Sequence, residues 1–309
     1  MIKQLGLLAG TIGLASSLWA STPAEMVITV KPAHHGGSEP KTLQPGDLAV
    51  TEGGAHVPVT GLRRLAGDLA NMQLFIYLDD STRSASLGVQ LGQLKDFVKA
   101  LPASTQVAIG YMQNGTFALA HAFTADHQAA ARSLRLPMAV PGENGSPYFA
   151  LSDLAKHWPS KEATGRRAVL MLTDGVDRYF DNSEVDDPYV EAAIEDTLQN
   201  GIAVYSIYLR GAGLYGRGAW TTNFAQSRMG QVSDQTGGYA YFEDFQDPVE
   251  IAPFLNDFQD RMDHQYRVTF QALNRRGTQS VKLRTELPGV KINGPSRILG
   301  VALILDKLR

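Results

Sequence analysis

Two apolar runs in this chain end in aspartate. LFIYL, residues 74–78, leads into Asp79 and Asp80, and RAVLMLT leads into Asp174. Ser81 and Thr82 follow the first pair, Ser84 lies just beyond, and Ser146 stands between the two runs in PGENGSPYFAL. Carboxylates and hydroxyls, with neither imidazole nor thiol among them, form a set of hard oxygen donors. That chemistry suits Mg2+ or Mn2+, Ca2+ less well, and zinc not at all.

The surrounding pattern must bring these donors together. MQLFIYLD reads as a continuous apolar strand of the kind buried on both faces of a parallel sheet, and RAVLMLT and IAVYSIYL are of the same type. TQVAIGYMQ and TFALAHAF read as strands joined by a hairpin at Asn114-Gly115. Helical spacing is expected over residues 89–100, 125–136 with Thr124 as cap, 147–157, 189–199, 223–236 and 248–262. GGYAYF closes the alternation as a last strand. Strands alternating with helices predict an α/β fold with a Rossmann-like, doubly wound, mostly parallel sheet. In such sheets ligands bind beyond the carboxyl ends of the strands, which is where Asp79, Asp80 and Asp174 fall.

Both flanks revert to β patterning. MVITVKP and DLAVTEGGAHVPVTGL precede the block, while QYRVTFQAL, SVKLRTEL, VKIN and SRILGVALIL follow it. The expected organisation is an N-terminal β segment over 25–68, the α/β domain over 70–262, and a C-terminal β segment over 263–309. The two flanking segments are expected to pair into one small β module. Ahead of them, Met1-Ile2-Lys3 and LGLLAGTIGLASSLWA have the layout of a secretory signal peptide, residues 1–20, with Ala20 or Ala24 as cleavage points. The expected location is therefore the periplasm or extracellular space of a bacterium, with membrane contact only through the leader. There is no cysteine, so no disulfide or thiol-linked lipid.

These motifs, in this order, resemble the von Willebrand factor type A domain, and in particular bacterial exported proteins related to it. GRRAVLMLTDGVDR carries the likeness most strongly, supported by AFTADHQAAARSL and NGIAVYSIYL; LQPGDLAVTEGG and QYRVTF add weaker support at the flanks. The resemblance implies a metal-ion-dependent adhesion site built from Asp-x-Ser-x-Ser, a loop Thr and the Asp of Thr-Asp-Gly. Carried over, the ligands are Asp79, Ser81, Ser84, Ser146 in place of Thr, and Asp174. They imply Mg2+ or Mn2+ with one position open to an Asp or Glu of a protein partner, and binding without catalysis.

The motif departs from the pattern at Arg83, which stands where the last serine belongs. Three registers are open: Asp79 with Ser81; Asp80 with Thr82 and Ser84; or Asp79 and Ser81 with Ser84 recruited by a loop adjustment. A guanidinium is repelled by a dication and attracted by carboxylates, so Arg83 itself is an alternative occupant, clasping Asp79 and Asp174. In that case the protein is a structural or assembly component of the envelope with a vestigial site.

Other signals are weaker. GAGLYG at 211–216 matches a dinucleotide fingerprint but opens no helix at its last glycine, so no nucleotide is expected. DNSEVDD at 181–187 lacks the glycine and closing glutamate of a calcium loop. His34-His35 has no partner in sequence. A hydrolase would pair Ser81 or Ser146 with His121 or His157, yet there is no G-x-S-x-G elbow. The formal charge of −3 gives no case for nucleic acid, although nine Lys/Arg face two acids from Gln265 onward.

Overall fold

The computed structural model describes residues 22–33, 42–82, 86–140, 145–162, 165–180, 186–210, 218–273 and 276–300. The leader, His34-His35, Arg83, Ser84, most of the acidic loop at 181–187 and the glycine-rich 211–216 lie outside the described residues.

At the centre is β5 (Met72–Asp79), every residue of which is buried. It pairs in parallel with β6 (Thr105–Gln113) on one side and β8 (Arg166–Thr173) on the other. Beyond β8 come β9 (Ile202–Tyr208) and the short β10 (Ala240–Tyr241), both parallel; β7 (Thr116–Thr124) closes the other edge antiparallel to β6. The order β10-β9-β8-β5-β6-β7 is that of a doubly wound sheet with an antiparallel edge.

Helices cover both faces, and strand alternation decides what each face receives. Leu74, Ile76 and Leu78 of β5 pack with α1 (Leu87–Ala100), α2 (His127–Ser133) and α6 (Ala252–Asp263). Phe75 and Tyr77 face α3 (Pro147–Lys156), α4 (Pro188–Gln199) and α5 (Ala219–Thr236). Asp79 continues the second series and Asp80 the first, so the adjacent carboxylates part to opposite sides.

Several helix ends differ from the sequence reading for local reasons. The helix expected over 125–136 runs only from His127 to Ser133, because Asp126, not Thr124, is its cap and accepts from the Ala129 N–H at 2.9 Å. Its far end unwinds at Leu134, freeing Arg135 to reach Asp80. α5 starts at Ala219 instead of 223, and α6 at Ala252 instead of 248.

The flanking segments form two four-stranded antiparallel sheets. β1 (Thr22–Pro32) pairs with β11 (Gln265–Ala272) and β13 (Val290–Asn293), and β11 pairs with β4 (Val59–Arg64). In the other sheet, β12 (Thr278–Thr285) lies between β14 (Arg297–Leu299) and β2 (Leu48–Glu52), which pairs with β3 (Ala55–Val57). Met26, Ile28, Val50, Val268 and Phe270 fill the space between them.

Arg166 ties this module to the α/β block. Its Nη1 donates to the Met262 carbonyl at 2.7 Å and to Gln265 Oε1 at 2.9 Å, and its Nη2 to the Ala70 carbonyl at 2.6 Å. Only 8% of the residue is exposed, and burial pulls its guanidinium pKa down. Arg166→Met leaves three buried acceptors without that donor, at an expected cost of roughly 3 kcal/mol. Urea unfolding of both proteins measures it, and an unchanged midpoint would remove Arg166 from this linking role.

Candidate metal centre

The parallel pairing of β5 and β8 sets Leu78 opposite Leu172, so Asp79 and Thr173 leave the sheet side by side and Asp174 follows at once. Asp79 is 1% exposed and Asp174 3%. Asp79 Oδ1 accepts from the Ser81 N–H at 3.0 Å and the Ser81 hydroxyl at 2.8 Å; Oδ2 accepts from the Thr173 hydroxyl at 2.9 Å. Burial first, and then the neighbouring Asp174 carboxylate, push the Asp79 pKa up to about 6 against the pull of these bonds.

Asp80 belongs elsewhere. Arg135 grips it with both terminal nitrogens, at 2.5 and 3.0 Å, while Gln113 Nε2 donates at 2.8 Å and the Met138 N–H at 2.9 Å. The guanidinium also stacks 3.9 Å from the Tyr111 ring centroid. Burial raises the Asp80 pKa, but the Arg135, Met138 and Gln113 bonds outweigh it and hold the carboxyl below its usual range. Asp80 is the anchor of an internal ion pair on the α2 side.

Ser146 is the N-cap of α3, accepting from the Phe149 N–H at 3.1 Å. Its hydroxyl donates to Asp177 Oδ2 at 2.5 Å, and Asp177 Oδ1 accepts from the Tyr179 N–H at 2.8 Å and the Phe180 N–H at 3.2 Å. Burial raises the Asp177 pKa, with Asp187 adding to the effect against the Ser146 bond. Asp174 Oδ1 accepts from the Val176 N–H at 3.0 Å, and Oδ2 from Arg178 Nη2 at 2.7 Å.

Asp79 bonds Ser81 and lies beside Asp174, while Ser146 bonds Asp177. Ser84 lies outside the described residues. Sequence reasoning missed Thr173, Asp177 and Arg178. The signal was in DGVDR, where an acid and a base stand four residues apart across a glycine turn.

Any divalent ion held by Asp174 Oδ2 would face the Arg178 guanidinium. A metal about 2 Å from Asp174 Oδ2 would lie within about 5 Å of the Arg178 guanidinium. A dication at roughly that distance is repelled by on the order of 7 kcal/mol at an effective dielectric of 20.

The hydroxyls are not set up as nucleophiles either. Those of Ser81 and Ser146 donate to aspartates, while the His121 ring bonds the Ala122 carbonyl and the His157 ring bonds Asp153.

A parallel sheet with helices on both faces, Asp79 at the end of its central strand and a Thr-Asp-Gly turn beside it settle the architecture. It is the architecture that the resemblance to the von Willebrand A domain implies. No family model and no curated protein matches the chain. Among solved structures it is similar to BatB from Bacteroides thetaiotaomicron, at 15% identity and a TM-score of 0.45, over 62% of this chain and 98% of that one. It is similar to the vWF domain of the type V pili tip protein Mfa5 from Porphyromonas gingivalis, at 8% and 0.41, over 62% and 94%. The pilus adhesin SpaC from Lactobacillus rhamnosus GG is similar at 10% and 0.45, over 86% of this chain and 49% of that one. These likenesses concern the fold alone.

The raised pKa of Asp79 has a definite sign in stability. The folded state holds this proton more tightly than the unfolded chain, so the contribution is complete below about pH 4 and is lost as pH climbs through about 6. In metal-free buffer, the stability of wild type relative to Asp79→Asn is expected to fall by roughly 2–3 kcal/mol across that window and then level off. Denaturant titrations at four pH values check this, and a constant difference would refute the buried-acid account.

Proposed function

We propose that this chain is an exported, non-catalytic binding protein that engages a protein partner at the carboxyl edge of its parallel sheet. One observation carries the reading: the buried polar cluster fixes the backbone of three exposed apolar side chains. The N–H of Met138 bonds Asp80, that of Phe149 bonds Ser146, and that of Tyr179 bonds Asp177. Met138 is 72% exposed, Phe149 43% and Tyr179 46%. Phe149, Tyr179 and Tyr189 brace one another edge to face, with centroids 5.7 to 6.1 Å apart.

Large apolar side chains held in place at the rim of a polar site are what an interface needs. They offer area to bury, and their ordering has been done before the partner arrives. The carboxylate-bearing partner implied by the family resemblance depends on an open metal position; the apolar rim does not. Export rests on the leader-like N-terminus, and the apolar start of the chain is consistent with an envelope setting. A second reading, an envelope assembly component with a vestigial site, is favoured by the engagement of all four Asp79 and Asp174 oxygens.

The test uses the mature chain carrying a chemical crosslinker, mixed with envelope extract of the producing bacterium. The double change Phe149→Arg and Tyr179→Arg is expected to lower partner capture by about tenfold or more. Lys282→Glu, on the exposed side of β12, should leave it intact. Equal capture by the double variant would place the interface elsewhere.

A further inference from the structure

We propose that Arg178 is the resident cation of this site: its guanidinium, and not a divalent ion, neutralises the carboxylates that Asp79, Asp174 and Asp177 bring to the end of the sheet. The family resemblance calls for a metal here. The residues place a positive charge of the protein's own beside the acid that would bind it.

The guanidinium is held firmly in place. The Arg178 backbone N–H donates to the Gly145 carbonyl at 2.6 Å, just ahead of Ser146. Nη1 donates to the Val176 carbonyl at 3.2 Å and Nη2 to Asp174 at 2.7 Å, and the side chain is 14% exposed. Asp79 and Asp177 are its other anionic neighbours. A planar, permanently charged donor fork is well suited to serve several carboxylates from one position, and the interaction is shielded from water.

The backbone route is equally specific. Asp174 and Arg178 are joined through Gly175, which has φ +67° and no space for a side chain: a Cβ there would lie 2.5 Å from Met229 Sδ. This left-handed residue turns the chain back, so Arg178, the fourth residue after Asp174, folds over that acid. A solvent-pointing arginine would require none of this.

The arginine expected from the sequence to fill the site was Arg83. Arg83 lies outside the described residues; the guanidinium that meets Asp174 comes from the other strand end. For the binding face read above, on which this last step rests, the consequence is that partner engagement proceeds in the presence of a chelator.

Three proteins decide the matter: the mature wild type, Arg178→Gln and Arg178→Lys, each stripped of metal. Mn2+ is added to each, with the free ion followed by electron paramagnetic resonance and unfolding by differential scanning fluorimetry; Mg2+ is tested by calorimetry. Wild type and the lysine variant are expected to give no saturable response. The glutamine variant is expected to bind Mn2+ at least about tenfold more tightly and to gain melting temperature with it.

Saturable binding by wild type at sub-millimolar Mn2+ overturns the proposal, and needs no variant to fold. Silence in a folded Arg178→Gln also overturns it, as does a metal response that appears only in Arg83→Ser. These titrations involve no partner. They fail or succeed independently of the crosslinking result that tests the binding face.

Discussion

The crowding of negative charge at one point of the sheet is the constraint around which this molecule is arranged. β5 and β8 are neighbours in a parallel sheet, so their ends lie about 4.8 Å apart. Each ends at an acid that is almost wholly buried. Two ionised carboxylates cannot be placed so close without compensation. Ser81 and Thr173 donate to one, the Val176 N–H and Arg178 to the other, and the Asp79 pKa rises with what is left over. The Gly175 turn, the start of α3 and the edge-to-face rings beside it surround those donors.

Much of the α/β block was legible because its determinants are local. An unbroken apolar run identifies a strand covered on both faces, and the alternation of such runs with helical spacing identifies the doubly wound sheet. The pairing of the two flanking β segments was also readable, since each presents a half-buried face that needs covering. The roles of Asp79 and Asp80 were not separable in this way. Period-two alternation says that they face opposite sides, but which side carries the site depends on Arg135 and Ser146, 55 and 67 residues beyond them. Attention to Arg83 came from a motif template; Arg178 was hidden because its pairing with Asp174 spans an irregular turn that no periodic rule describes.

The fold supplies a place for a site without specifying its chemistry. Here the carboxyl edge carries two buried aspartates and an arginine that pairs with one of them. Buried salt bridges add little net stability once desolvation is counted, but removing one partner is costly. An arrangement of this kind therefore persists as a unit.

The β module has a consequence for the order in which the protein assembles. Thr22 pairs with Ala272, and β1 lies between β11 and β13. Every strand contact that β1 makes is with residues near the other end of the polypeptide. The α/β block, whose strands pair over shorter separations, can form while β1 waits. Until β11 and β13 are available, the hydrogen-bonding edges of β1 are unpaired. Synthesis runs amino end first, so that strand waits for its partners while the rest of the chain is made, and protecting it from other unpaired edges becomes a requirement of folding.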